Sequence, residues 1–214
     1  MKKTWLSTVW TLLLVLALLS TGNGAAFAAA PAGSIYGLVT APEGGLPPAG
    51  TLVRAFDPGT ENVRAWALVQ PNGSFLLPIL PNGVYAIRAV PPAESLLTQS
   101  LTVPVSVMNS AVNAGTLSLT HPQITGRVLA ADGATLTPAW IWVHSADGTP
   151  RQRIEAPTGE YRIGGLPAGD FALVAHPAVA QPLWKSTRTA VTIVPGGAPQ
   201  SLDLLPNGIS QSFG

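Results

Sequence analysis

The chain has 214 residues, 11 Lys+Arg against 10 Asp+Glu, and no cysteine. Without Lys2 and Lys3, nine basic side chains stand against ten acidic ones, a net charge of −1, and no basic cluster is left. That balance argues against a nucleic-acid binder and a polybasic membrane contact. The missing cysteines exclude disulfides, thiolate metal ligands and a thiol nucleophile.

Lys2 and Lys3 precede an apolar run from Val9 to Leu19, followed by polar residues and then small ones through Ala30. This is the charged, apolar, small-residue order of a secretory signal peptide. The run is shorter than the roughly 20 apolar residues of a spanning helix. Ala26-Phe27-Ala28 fits the cleavage rule, so residues 1–28 are expected to be removed, the alternative being a retained anchor. The expected location is secreted, periplasmic or cell-surface, with no stable membrane anchor after cleavage.

Beyond the leader, 22 Gly and 21 Pro in the whole chain punctuate short alternating runs, the mark of half-buried strands. Strands are expected near 35–40, 50–57, 63–69, 74–78, 84–90, 100–107 and 114–119. Pro104 places the 100–107 run at a sheet edge or a bulge, since proline cannot donate to the ladder. Asn72-Gly73 reads as a tight hairpin turn rather than a glycosylation sequon, so 63–69 and 74–78 are expected to pair. Asn82-Gly83 and Ala168-Gly169 follow Leu-Pro, with each glycine expected in the left-handed region. A linker at 120–123, Thr120-His121-Pro122-Gln123, predicts an end-to-end rod with a semi-rigid joint. Further strands are expected near 123–129, 139–145, 151–155, 160–164, 170–176, 187–194 and 201–205. Residues 206–214 read as a frayed tail or the remnant of a third repeat.

The second set repeats the first. Ile35-x-Gly37-x-Val39 returns as Ile124-x-Gly126-x-Val128, Pro48-Ala49 as Pro138-Ala139, and Gly73-Ser74-Phe75 as Gly159-Glu160-Tyr161. Leu80-Pro81-x-Gly83-x-Tyr85 returns as Leu166-Pro167-x-Gly169-x-Phe171. The offsets, 86 to 90 residues, exceed solenoid units of about 20 to 50. They suit one small β-domain. The expectation is an all-β chain: two tandem seven-stranded, Ig-like sandwiches at 33–119 and 124–205.

These motifs, with Pro-Ala-x-x-x-Val before Val53 and Val143, resemble carboxypeptidase regulatory-like domains. Those are prealbumin-like sandwiches related in fold to the Cna B-type repeats of bacterial surface adhesins. The resemblance spans nearly all of 33–205 as two copies. It implies fold more than function, because such modules serve as spacers, stalks and binding accessories. Many Cna B-type domains close an isopeptide bond from a lysine on the first strand. Here the first strands hold no lysine, and Lys185 is the only one after the leader.

No nucleophile elbow, phosphate loop or close histidine pair is present among the motifs, so neither enzyme activity, metal nor cofactor is expected. His121, His144 and His176 read as solvated. The candidate site is Trp140, Trp142 and His144, with Trp184. The repeat alignment puts Ile141 and Val143 opposite Thr51 and Val53, and the family resemblance implies that this register faces inward, so alternation turns the two tryptophans and His144 outward. There they form either a stacking platform on the order of a few hundred Å2 for sugars, or a packing surface against the first unit or a neighbour. A slip of register puts them in the core instead. Trp184 extends that site or caps the core. Trp66 shares a face with Leu68, aligned with a buried Ile154, and is expected to pack. The functional expectation is a monomeric, non-catalytic structural or interaction module for an extracellular protein or a polysaccharide. The alternative is a carbohydrate-binding module. Intact-mass spectrometry should give the exported protein its full sequence mass, and a mass short by one ammonia would reveal an isopeptide bond.

Overall fold

Apolar–polar alternation between turns gives strands throughout the computed structural model, which describes residues 31–178 and 187–205. In the first half these are β1 (Ile35–Thr40), β2 (Leu52–Phe56), β3 (Val63–Leu68), β4 (Ser74–Leu77), β5 (Gly83–Val90), β6 (Val103–Val107) and β7 (Val112–Ser118). The second half has β8 (Ile124–Arg127), β9 (Ala139–Ser145), β10 (Pro150–Ala156), β11 (Glu160–Ile163), β12 (Gly169–Pro177), β13 (Thr187–Ile193) and β14 (Gln200–Ser201). Among the described residues a single 3-10 turn, Pro42–Gly44, interrupts them.

Sheet orders β4-β1-β7 and β3-β2-β5-β6 are repeated as β11-β8-β14 and β10-β9-β12-β13. In each half the last strand runs parallel to the first. Two separate cores result, one from Ile35 to Leu119 and one from Ile124 to Leu204. The all-β architecture of two seven-stranded sandwiches is as expected, and Pro104 lies on an edge strand. The leader, Trp184, Lys185 and the 206–214 tail lie outside the described residues.

The repeated motifs have a common physical origin. Gly37 pairs with Phe75 across β1 and β4, and Gly126 with Tyr161 across β8 and β11. A methyl group on Gly37 would stand 2.5 Å from the Gly115 carbonyl oxygen and 2.9 Å from the Phe75 ring. On Gly126 it would stand 2.7 Å from the Leu202 carbonyl carbon and 2.9 Å from the Tyr161 hydroxyl. The glycine thus admits both the parallel last strand and the aromatic of the next motif. The Tyr161 hydroxyl completes this by donating to the Leu202 carbonyl.

Three expectations need correction. First, the turn at Asn72-Gly73 forms, with Gly73 at φ +84° and its N–H donating to the Gln70 carbonyl at 2.8 Å. It does not join a hairpin: β3 stays with β2 while β4 crosses to the other sheet to pair with β1. The Phe75–Gly37 pairing draws it there. Second, Gly83 has no positive φ. Asn82 ties that turn to the one between β6 and β7, its Oδ1 accepting from the Asn109 N–H at 2.7 Å.

The third concerns repeat alignment. Val53 lies opposite Ala89 as Ile141 lies opposite Ala175, so Val53, not Thr51, corresponds to Ile141. That slip of two residues preserves the face. Leu68, however, corresponds to Glu155 rather than Ile154, because each sits across from the matching residue, Leu52 or Trp140. A slip of one reverses the face. Trp66 therefore points outward and is 62% exposed, with Leu68 at 52%. It does not pack.

Gly126→Ala should destabilise the second half by about 1–3 kcal/mol or more, the usual cost of forcing atoms into a packed site. Urea denaturation of the variant checks this, with Gly45→Ala, at φ −65° and with no atom nearer than 3.6 Å to the added methyl group, as the comparison.

Candidate functional site

Ala139, Ile141 and Val143 point into the core of the second half, so alternation along β9 turns Trp140, Trp142 and His144 outward, each half-buried. The register expected from the sequence holds, and the tryptophans are not in the core. Across the strands their neighbours are Arg153 and Glu155 of β10, Ala172, Val174 and His176 of β12, and Arg188 and Ala190 of β13. The Trp142 and His144 rings stack with centroids 6.3 Å apart and planes 28° apart. His144 Nδ1 lies 3.1 Å from the Gly148 carbonyl oxygen. His121 lies exposed in the linker.

Above the indoles sits a cation. The Arg153 guanidinium carbon lies 4.7 Å from the Trp140 ring centroid and 5.7 Å from that of Trp142. Such contacts contribute about 0.5–1 kcal/mol at exposed sites. The ring faces a sugar would use are thus partly covered by a side chain of the same sheet. Among the described residues, no three His, Asp or Glu side chains converge as metal ligands.

Arg153 also marks where the two halves meet. β10 is an edge strand, and the main-chain groups on its open side face the first half. Arg88, on β5 and only 2% exposed, donates through Nη1 to the Arg151 carbonyl at 2.7 Å. Its Nη2 pairs with the Glu61 carboxylate, and Glu61 Oε2 accepts from the Arg153 N–H at 3.3 Å. The ion pair supplies a donor and an acceptor where a neighbouring strand would. The Phe56 ring covers the Arg88 guanidinium at 4.2 Å. Burial pushes the Glu61 carboxyl up, against the pull of Arg88, and pushes the Arg88 guanidinium down.

A second contact fixes the linker. Thr98 donates its N–H to the Thr120 carbonyl at 2.8 Å, and their hydroxyls lie 2.9 Å apart. Gln123 brackets Leu166, accepting from its N–H at 2.9 Å and donating to its carbonyl at 3.0 Å. Between these ties runs Gly164-Gly165. A methyl group on Gly164 would stand 2.7 Å from Thr120 Oγ1, and one on Gly165 (φ +70°) 2.5 Å from the Gln99 carbonyl. The buried Gln152 donates to the Gly164 carbonyl at 2.9 Å and holds that loop. The semi-rigid joint expected from four residues is therefore braced from both sides.

Glu61, Arg88 and Gly164-Gly165 are absent from the sequence expectations. The signals for them were differences between the copies. Arg88 interrupts an apolar strand where the second copy has Val174, and Gly164-Gly165 replaces Pro78-Ile79.

No family model matches the chain, and no curated protein matches it. Solved structures with a similar strand arrangement include the Bacillus anthracis TIE protein, at 15% identity and TM-score 0.34, covering 82% of this chain and 33% of that one. The shaft pilin SpaA from Lactobacillus rhamnosus GG shares 13% identity at TM-score 0.34, with 82% and 98% covered. GBS52, the minor pilin of Streptococcus agalactiae, shares 17% at TM-score 0.28, with 80% and 93% covered.

Arg88→Met should cost about 3–5 kcal/mol, because it strands the Glu61 charge among buried atoms. Adding Glu61→Leu should recover much of that loss, and a double-mutant cycle by urea denaturation measures the difference. In the β9–β10 turn, Asp147 accepts from the Ser145 hydroxyl at 2.5 Å and the Thr149 N–H at 2.9 Å, which lowers its pKa to about 2. Its contribution to that turn is complete above the ordinary carboxylate range, and falls away as pH drops through about 2. Carboxyl-resonance titration by NMR should place its midpoint there.

Proposed function

We propose that this chain is an exported, non-catalytic structural module. Its two sandwiches, residues 33–119 and 124–205 joined by 120–123, act as one stiff unit that holds loops and an aromatic face toward an extracellular partner. The observation that carries this reading is the Glu61–Arg88 pair on the open side of β10. A chain that needed its halves to close on a substrate would gain nothing from a buried ion pair across the joint. A spacer or presenting module gains stiffness. The leader order and the lack of cysteine support export and a fold that relies on its own cores. The motif resemblance to carboxypeptidase regulatory-like domains points the same way.

A second reading, glycan binding by Trp140 and Trp142 with His144 as a polar contact, is favoured by the outward register of all three. It requires Arg153 to swing off the rings or to bind the sugar itself.

Residual dipolar couplings test the first reading. Amides of the two halves should fit one alignment tensor in the parent, and two in Glu61→Ala/Arg88→Ala. Two tensors in the parent would sink it. For the second, a saturable fluorescence response to soluble polysaccharides should vanish in Trp140→Ala/Trp142→Ala.

A further inference from the structure

The four-stranded sheets have four edges. β10 is covered by the ion pair, β6 carries Pro104, and β13 turns Arg188 outward. These are ordinary protections against pairing with another chain. β3 has neither a proline nor a covering side-chain pair. It runs six residues without proline or glycine and exposes Val63, Trp66 and Leu68. Its one charge, Arg64, is neutralised by Asp57 at 2.6 Å.

β3 is also the counterpart of β10, with Arg64 and Trp66 matching Arg151 and Arg153. In β10 the carbonyl and N–H at those positions are taken by a side-chain pair from a neighbouring module. In β3 the same two groups face outward. Across from Trp66 lies Arg54, half-buried and facing Arg88 on its other side. Glu61 already neutralises Arg88, and the Arg54 side chain has no hydrogen bond or ion pair among the described residues. The edge therefore offers open main-chain groups, three exposed apolar side chains and one uncompensated cation.

We infer that β3 takes up an extended acidic–apolar strand of a partner protein, which lengthens the β3-β2-β5-β6 sheet. Main-chain hydrogen bonds form at Arg64, Trp66 and Leu68, apolar side chains lie over Trp66 and Leu68, and a carboxylate meets Arg54. The uncompensated Arg54 favours this partner over a second copy of the chain, whose β3 would bring another Arg54 to the same place. This deepens the reading of the chain as an interaction module and rests on it, but is independent of how stiffly the halves are joined.

The test uses the exported protein and a fluorescein-labelled octapeptide of alternating valine and glutamate, with a valine–lysine octapeptide as control. Anisotropy should show saturable binding of the glutamate peptide, and about tenfold weaker binding by Arg54→Gln, the loss expected for a charge-assisted contact. Leu68→Pro removes a solvent-facing donor, which an edge strand tolerates. It should abolish binding while an unchanged thermal melt shows the fold intact. Hydrogen exchange at the Trp66 amide should slow when the peptide is added. Equal binding of both peptides, no binding, or unchanged Trp66 exchange would each overturn the proposal. So would a concentration-dependent dimer in sedimentation that Leu68→Pro disperses, since the edge would then belong to a second copy. A single alignment tensor with no peptide binding would remove this inference and leave the stiff module standing.

Discussion

A strand at the edge of a sheet leaves main-chain donors and acceptors without partners, and burying them unpaired is costly. On β10 this demand is met by Arg88 and Glu61, which reach from the other half to the Arg151 carbonyl and the Arg153 N–H. The pair is itself expensive to bury, so each ion holds the other in place, and Phe56 covers the guanidinium. Much of what distinguishes the two copies follows from this contact. Arg88 must stand on the outward face of β5, beside Arg54, and β10 must keep its edge clear. The 164–165 loop must be bare enough for the first half to approach.

Duplication alone would give two equal sandwiches; the differences between them make the joint. Val174 stands where Arg88 would be, and Gly164-Gly165 stands where Pro78-Ile79 would be. Trp142 and Arg153 take the places of Arg54 and Trp66, exchanging cation and indole across one strand pair. In the second half the exchange puts a guanidinium over two tryptophans beside the joint. In the first it leaves an exposed tryptophan on an open edge beside an unpaired arginine. One ancestral face thus carries opposite surfaces in the two copies.

Within each half the fold depends on a glycine and an aromatic ring. The parallel last strand can reach β1 or β8 only if Gly37 or Gly126 has no side chain, and Phe75 or Tyr161 fills the space above. The pairing also explains why Asn72-Gly73 does not close a hairpin. Its turn geometry suits one, but the ring at Phe75 is worth more against Gly37 and the core than along β3.

The sequence by itself determined the strands, the duplication and the outward turn of Trp140, Trp142 and His144. These depend on local terms: alternation with period two, glycine and proline at turns, and motifs recurring at one-domain spacing. Where it misled, at the β3–β4 turn and the face of Trp66, the deciding quantity was pairing between strands far apart in the chain. Turn chemistry does not report such pairing, and a one-residue slip in alignment inverts it. Only the tertiary structure decided that Arg88 and Glu61 meet the edge of β10. It alone set Arg153 over the indoles and left β3 uncovered. A lone arginine in an apolar strand and a glutamate in a turn gain their meaning from a third element more than sixty residues away, and that proximity exists only once both sandwiches have folded.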